Sequence, residues 1–327
     1  MHDDGDSAEG NAVPEISVVV PVFGRPEELA RCLRAILPQR AGAPVEILVI
    51  DDGSDPPVAV EAAEIRLPVP APGCELRVVR QPHAGIAAAR NRGMGHAKGR
   101  LVIFVDSDVV VAPGFLRGMA LAARRAPEAL VFQAQLVGHP TRLVWRIEGA
   151  RLEATQRRLM RPDGTLTYLN TSAIAVRKPL PALPTPTGPT DVPDFPGQTA
   201  PEQGAGLFDV GVRRGEDTLL LVRLGLLGSW PVWVPQAVAE HRPTGSLHSY
   251  LLRHLRIGYL DTESRRRAGA LGQLSTGSER LRFLRPLLRA AGGGPMGLFV
   301  FLLAMLAFAL EVTGRIAGVA THPVRAR

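Results

Sequence analysis

At 327 residues the chain has room for one large α/β domain with a C-terminal appendage, taking roughly 100–200 residues per domain, and for a full core. Cys32 and Cys74 make no spaced disulfide framework, and no basic-then-apolar leader reads ahead of the first strand pattern, so the expectation is a reducing, cytosol-facing location. The net charge of +7 is concentrated rather than spread, and aromatic residues for base stacking make up only 5%, so nucleic-acid binding is not the reading.

Residues 1–13 are acidic, small and polar and predict a disordered tail. A regular alternation follows. The apolar runs Ile16–Val22, Glu46–Ile50, Leu76–Val79 and Leu101–Val105 read as strands, with helices over Pro26–Leu37 and Gly85–Ala97 between them. Such alternation predicts an α/β fold with crossover connections and a mixed, mostly parallel sheet flanked by helices. Further on, strands are expected at Leu130–Val137, Leu169–Val176 and Val232–Pro235, and helices at Arg142–Arg158, Glu216–Leu227 and Ser246–Tyr259. Eight prolines within residues 179–201 exclude helix and central strand there and predict a surface insertion over 179–206.

The charge excess lies in a basic helical segment, 251–289, which holds nine arginines against three acids. It leads into Ala290–Leu310, 21 residues without a charge, enough to cross a hydrocarbon core of about 30 Å at about 1.5 Å per residue. Residues 290–320 therefore predict a membrane-associated or transmembrane segment with a cationic flank at the membrane surface. Gly292, Gly293, Gly294, Pro295 and Glu311 leave open whether it spans, re-enters or lies in the plane.

In an open parallel sheet, ligands bind beyond the carboxyl ends of the strands. Four polar clusters fall there. Asp51 and Asp52, before Gly53 and Ser54, can accept hydrogen bonds from a nucleobase or ribose, although Asp-Gly also marks ordinary turns. Asp106 and Asp108 follow a strand at a spacing that lets both share one hard cation with a diphosphate. Arg90, in a helix rich in small residues, suits a diphosphate by charge. Glu216 and Asp217 open a helix, where acids also complement the helix dipole.

Taken in order, Ser17–Phe23, Asp51–Ser54, Ala88–Gly93, Phe104–Asp108, and Phe208-Asp209 followed by Gly215–Asp217 resemble the family 2 glycosyltransferases of GT-A fold, over about residues 15–245. The resemblance implies a GT-A domain over 14–250 and an inverting transfer from a nucleotide-sugar donor, a UDP-sugar foremost. It implies that Asp51 and Asp52 hold the base and ribose, that Arg90 touches the diphosphate, and that Pro21, Phe23 and Asp106 also belong to the substrate-binding set. Asp106 and Asp108 would hold Mg²⁺ or Mn²⁺, with His241 a further ligand. Asp217 would be the catalytic base, with Glu216 beside it. The acceptor would be a saccharide or a lipid-linked species, met at a cell membrane with the catalytic domain on the cytoplasmic face, for cell-surface glycan or glycolipid synthesis.

Two departures stand out: the insertion over 179–206 occupies the place of a Gly-Gly-Phe-Asp-like element, and a Gln-x-x-Arg-Trp element is lacking, which favours single addition over processive synthesis. The alternatives are a nucleotidyltransferase of sugar-nucleotide synthesis and a non-catalytic membrane adaptor of the same fold. The first would want a Gly-rich basic loop after the first strand, of which Phe23–Pro26 offers a fragment. The second would be expected to lack Asp108 or Asp217.

Overall fold

All seven residues of strand β1 (Ile16–Val22) and all seven of β2 (Val45–Asp51) are buried, as are the five of β4 (Leu101–Val105). Continuous apolar runs of this kind fit strands covered on both faces. The computed structural model describes residues 15–59, 67–184, 206–243, 245–267 and 283–321. The expected tail, most of the proline-rich insertion, and the arginines between 268 and 282 lie outside these residues.

β1 pairs in parallel with β2 and β4, and β2 pairs in parallel with β3 (Cys74–Arg80). The sheet has eight strands in the order β3-β2-β1-β4-β7-β6-β8-β5, where β5 is Val109–Val111, β6 Val131–Val137, β7 Ala173–Arg177 and β8 Val232–His241. β7 runs antiparallel to β4 and β6, β5 antiparallel to β8, and β6 parallel to β8. The mixed, mostly parallel sheet is therefore as expected.

Side-chain alternation divides the core. Val18, Val20 and Val22 pack in one cluster with Leu29, Leu33 and Ile36 of α1 (Pro26–Ile36) and with Phe115 and Met119 of α3 (Phe115–Arg125). Val19, Leu48 and Ile50 face the other way, onto Ala87 and Ala89 of α2 (Ile86–His96) and Leu220 and Leu224 of α5 (Glu216–Leu226).

Several elements differ from expectation. β7 begins at Ala173, not Leu169, because Asn170 turns the chain: its Oδ1 accepts from Ser172 N at 3.0 Å, and its own N–H donates to Gln133 Oε1 at 2.8 Å. β8 continues past Pro235 to His241. A register shift at Ala134/Gln135 marks a bulge that lets the strand carry a proline and resume pairing. β5 and α3 are elements that the sequence did not announce.

The C-terminal third is joined to the core rather than appended to it. Helix α4 (Leu143–Arg158) buries Val144, Ile147, Ala150 and Ala154 in a cluster with Tyr250 of α6 (Leu247–Arg267), Leu287 of α7 (Leu284–Ala291) and Val300, Ala304 and Ala307 of α8 (Gly294–Thr321). α6 thus runs unbroken across the expected boundary at residue 250. The uncharged run from Ala290 does not form one rod, since it breaks at Gly292, where φ is +88°, and the long helix then continues through Glu311 to Thr321.

Candidate functional site

The turn after β2 is held by its own acids. Asp51 Oδ1 accepts from Ser54 N at 2.9 Å and Oδ2 from Val58 N at 3.2 Å, with Arg80 3.5 Å away. Asp52 accepts from Gln81 Nε2 at 2.7 Å and from Ala84 N and Gly85 N at 2.9 Å each. Both carboxylates are buried, and both are engaged by protein donors. Gly53 is required directly after them: its φ is +83°, and a Cβ there would stand 2.7 Å from His83 N. Beside this turn the segments after β1 and β3 present an aromatic surface to solvent. Phe23, 51% exposed, stacks on His83 with ring centroids 4.1 Å apart, and His83 Nδ1 lies 2.9 Å from Asp52 Oδ2. Pro21 is buried in β1 opposite Ile50.

Arg90 is not where a free phosphate ligand would stand. It is 2% exposed, and its guanidinium bridges Asp106 Oδ1 at 2.6 Å and Glu216 Oε1 at 2.7 Å, 5.6 Å from the Phe208 ring centroid. Expected at a diphosphate, Arg90 forms in this structure a buried clamp that joins the end of β4 to the start of α5. Burial works against the ionised form of Glu216, but Arg90, a backbone N–H and Arg214 together outweigh it and hold the carboxyl below its ordinary value. At Asp106 burial prevails over Arg90 and, with Asp108 beside it, pushes the carboxyl up.

Asp108, the second acid after β4, faces cationic side chains. His241 Nε2 lies 3.6 Å and Arg25 Nη1 3.8 Å from its Oδ2, and Arg253 of α6 adds positive charge. Burial opposes its charged form, yet His241 and Arg25 outweigh burial and depress its carboxyl. Burial likewise favours neutral His241, but Asp108 and Glu148 overcome it and push the imidazole up to about 10. Arg25, unannounced by the sequence, pairs with Asp108 while its side chain remains half exposed at this end of the sheet.

Among the described residues no cluster of three or more His, Cys, Asp or Glu side chains forms a self-contained metal site. Asp106, Asp108 and His241 nevertheless suit a cation that takes its other ligands from a diphosphate and water, since Mg²⁺ and Mn²⁺ sites of that kind need only one or two carboxylates.

Asp217 sits one residue into α5, its Oδ1 accepting from Thr218 N at 2.7 Å. Burial and then the neighbouring Glu216 push its carboxyl up to about 7. Gly215 sets this geometry: its φ is +88°, and a Cβ would stand 2.1 Å from Ser264 Oγ, so the turn passes directly against α6.

The structure therefore gathers Asp106, Asp108, His241, Glu216 and, beside it, Asp217 through named contacts. It ties the β2 turn to them through Gly24 N, which donates to Ser54 Oγ at 2.9 Å next to Arg25. Sequence reasoning missed His83, Arg25, Arg253 and Glu148. Only His83 and Arg25 could have been found, since each follows a strand.

The family model for glycosyl transferase family 2 matches residues 17–182. The succinoglycan biosynthesis protein ExoO of Rhizobium meliloti is 32% identical over 145 residues, 43% of this chain and 40% of its own length. The pre-mycofactocin glycosyltransferase of Mycobacterium tuberculosis is 26% identical over 252 residues, 73% of this chain and 45% of its own. The chain thus spans less than half the length of these relatives. In fold it is similar to a Pyrobaculum calidifontis mannosyltransferase solved with GDP-Man and Mn²⁺, with a TM-score of 0.54, 18% identity, and 94% and 88% of the two chains covered. With that family model covering half the chain and the motif acids gathered at the strand ends, the chain belongs to glycosyl transferase family 2.

Proposed function

We propose that the chain transfers a glycosyl group, with inversion, from a nucleoside-diphosphate sugar to an acceptor hydroxyl at a membrane surface. The observation that carries this reading is the meeting of Asp106, Asp108 and His241 with the Glu216-Asp217 helix start through Arg90. It puts a cation-suited acid pair and an acid of raised pKa at one end of the sheet.

In this reading Phe23 and His83 give a flat wall for the nucleobase, and the Asp51 and Asp52 turns hold that wall in place. Arg25 takes the role expected of Arg90 and meets the diphosphate. A divalent cation, bound with the donor, supplies charge neutralisation at the departing diphosphate. Asp217 receives the acceptor proton as the hydroxyl oxygen attacks the anomeric carbon and the bond to the diphosphate breaks. Arg90 keeps Asp106 and Glu216 in register while this occurs. The donor is a UDP-sugar in the first instance.

Calorimetric titration of nucleotide sugars with Mn²⁺ tests the cation. Binding is expected to weaken when EDTA replaces Mn²⁺ and to weaken likewise in Asp108→Asn. Full-strength binding after chelation would remove the acid pair from this role.

The membrane part of the proposal rests on α8. It is one helix long and apolar enough to cross a membrane, with mean hydropathy 2.2 and only 28% of its most apolar window buried. Small residues and an acid line its inner face: Ala304, Ala307 and Glu311 are buried, and Gly258 of α6 lies so close that a Cβ there would meet Glu311 O. Leu298, Phe299, Leu302, Leu306, Ile316 and Val319 face outward. An apolar outer face with an acid tied inward suits lipid contact and a lipid-linked acceptor, with the catalytic end on the cytoplasmic side.

Because α7 and α8 cover α4, truncation would open the core, so the test keeps the full chain. The protein is expected in the membrane fraction after a high-salt wash, and serine at Leu298, Phe299, Leu302 and Leu306 together is expected to move it to the soluble fraction. Wild-type protein that is soluble, or released by salt alone, would contradict lipid insertion.

A further inference from the structure

Glu148 is a carboxylate in the middle of α4, flanked by Ile147 and Ala150 of an apolar cluster and itself 9% exposed. An ionised group there costs several kcal/mol in lost hydration unless its surroundings answer it. They do. Tyr250 Oη donates to Oε2 at 2.6 Å, and His254 Nε2 lies 3.8 Å from the same oxygen. His254 Nδ1 is in turn 2.7 Å from Glu311 Oε1, and Glu311 also pairs with Arg151 and Arg315.

This network accounts for Oε2, while Oε1 faces the Nδ1 of His241 at 3.2 Å. That nitrogen is buried and has no aligned hydrogen-bond partner, so a small turn of the ring brings its N–H onto Glu148. The opposite ring nitrogen, Nε2, faces Asp108 Oδ2 at 3.6 Å. Carboxylate, imidazole and strand-end acid thus form a line from the core to the end of β4.

Resting on the cation reading above, we propose that Glu148 is a positioning residue: it accepts from His241 Nδ1 and so, once the cation at Asp108 has displaced the Nε2 proton to solvent, holds the Nε2 lone pair toward that cation. A histidine ligand whose far nitrogen donates to a carboxylate has its tautomer and ring plane fixed, and loss of such a partner typically costs about 10–100-fold in metal affinity. Glu311 has a reason to sit in the most apolar helix of the chain, because it holds His254 and Arg151 around Glu148. Through it α8 is part of the catalytic support as well as the candidate lipid-facing helix.

The test compares two replacements of similar size in the full-length protein. Glu148→Gln keeps an oxygen that can accept from Nδ1, whereas Glu148→Met does not and, by leaving the buried His241 and His254 without their carboxylate, is expected to lower the thermal midpoint as well. Mn²⁺ is titrated calorimetrically into protein saturated with UDP or with GDP, and thermal midpoints report folding. Expected is a loss of about 10–100-fold in Mn²⁺ affinity for Met, near wild-type affinity for Gln, and about 5-fold loss for Tyr250→Phe, one hydrogen bond's worth. His241→Ala should lose affinity too, and adding Glu148→Met to it should cost nothing further, since the two act as one unit.

Wild-type Mn²⁺ affinity in folded Glu148→Met, or losses from His241→Ala and Glu148→Met that simply add, would overturn the inference alone. If Glu148→Met does not fold, unchanged affinity in Tyr250→Phe overturns it. A wild-type protein that binds no Mn²⁺ with either nucleotide would overturn both this inference and the cation reading.

Discussion

Asp217→Asn is expected to leave nucleotide-sugar binding intact and to lower glycosyl transfer by about 10²–10⁴-fold, the range for removing a general base. Asn keeps the oxygen that accepts from Thr218 N in the first turn of α5, so the fold is expected to be retained. The pH profile separates this role from a structural one. With the carboxyl pushed up to about 7 by burial and by Glu216, the wild-type rate should fall about tenfold per unit below that value and level off above it. The acid limb should vanish in the variant. Stability should move the other way. A carboxyl whose folded-state pKa is raised contributes stability fully present below its unfolded value of 3.8 and lost as pH rises through about 7. Asn mimics the neutral acid, so its thermal midpoint at pH 8 should exceed the wild type's. Equal transfer rates for the two proteins would pass the role to Glu216 or Asp209.

Arg90→Met is the substitution with the largest expected cost to the fold. The guanidinium makes contacts of 2.6 Å and 2.7 Å to two carboxylates, with Asp108 and Asp217 each two residues or fewer from one of them. Removing it leaves buried negative charge unanswered, which costs about 3–5 kcal/mol where one partner of a buried pair is lost. Arg90→Lys should rescue little, because a single ammonium cannot present the planar fork that spans Asp106 and Glu216. Denaturant unfolding measures both. A loss under about 1 kcal/mol, the level of a solvent-exposed ion pair, would mean that Arg90 stands free in solution, as a diphosphate contact would require.

That contrast illustrates what was legible in the sequence. β1 and β4 were read to the residue, and β2 nearly so, because each is an apolar run closed by a polar cluster. The acids after them were read as site candidates for the same reason. What Arg90 does was not legible, since one of its partners is Glu216, 126 positions along the chain, and only tertiary packing brings them together. β5 has three residues and exists through pairing with β8, so local pattern gives little sign of it. α3 was within reach: Phe115, Met119 and Ala122 recur at helical spacing on its buried face. Pro235 stopped the reading of β8 early because a proline normally ends a central strand, and the bulge that accommodates it depends on β6.

Glu148 reads as an ordinary acid in an amphipathic helix, and Glu311 as a blemish in an apolar one. Their meaning appears only when α4, α6 and α8 are packed together.

The central claim is cation-dependent glycosyl transfer by the Asp108 and Asp217 site, and the most direct measurement is nucleoside diphosphate release. Full-length protein is incubated with a panel of UDP- and GDP-sugars, Mn²⁺ and a membrane extract as the acceptor source. The account predicts release from at least one donor, abolished by EDTA and reduced at least a hundredfold in Asp217→Asn, about the lower bound for loss of a general base. No release across the panel from folded protein would contradict it, as would formation of a nucleotide sugar from a nucleoside triphosphate and a sugar phosphate with release of pyrophosphate.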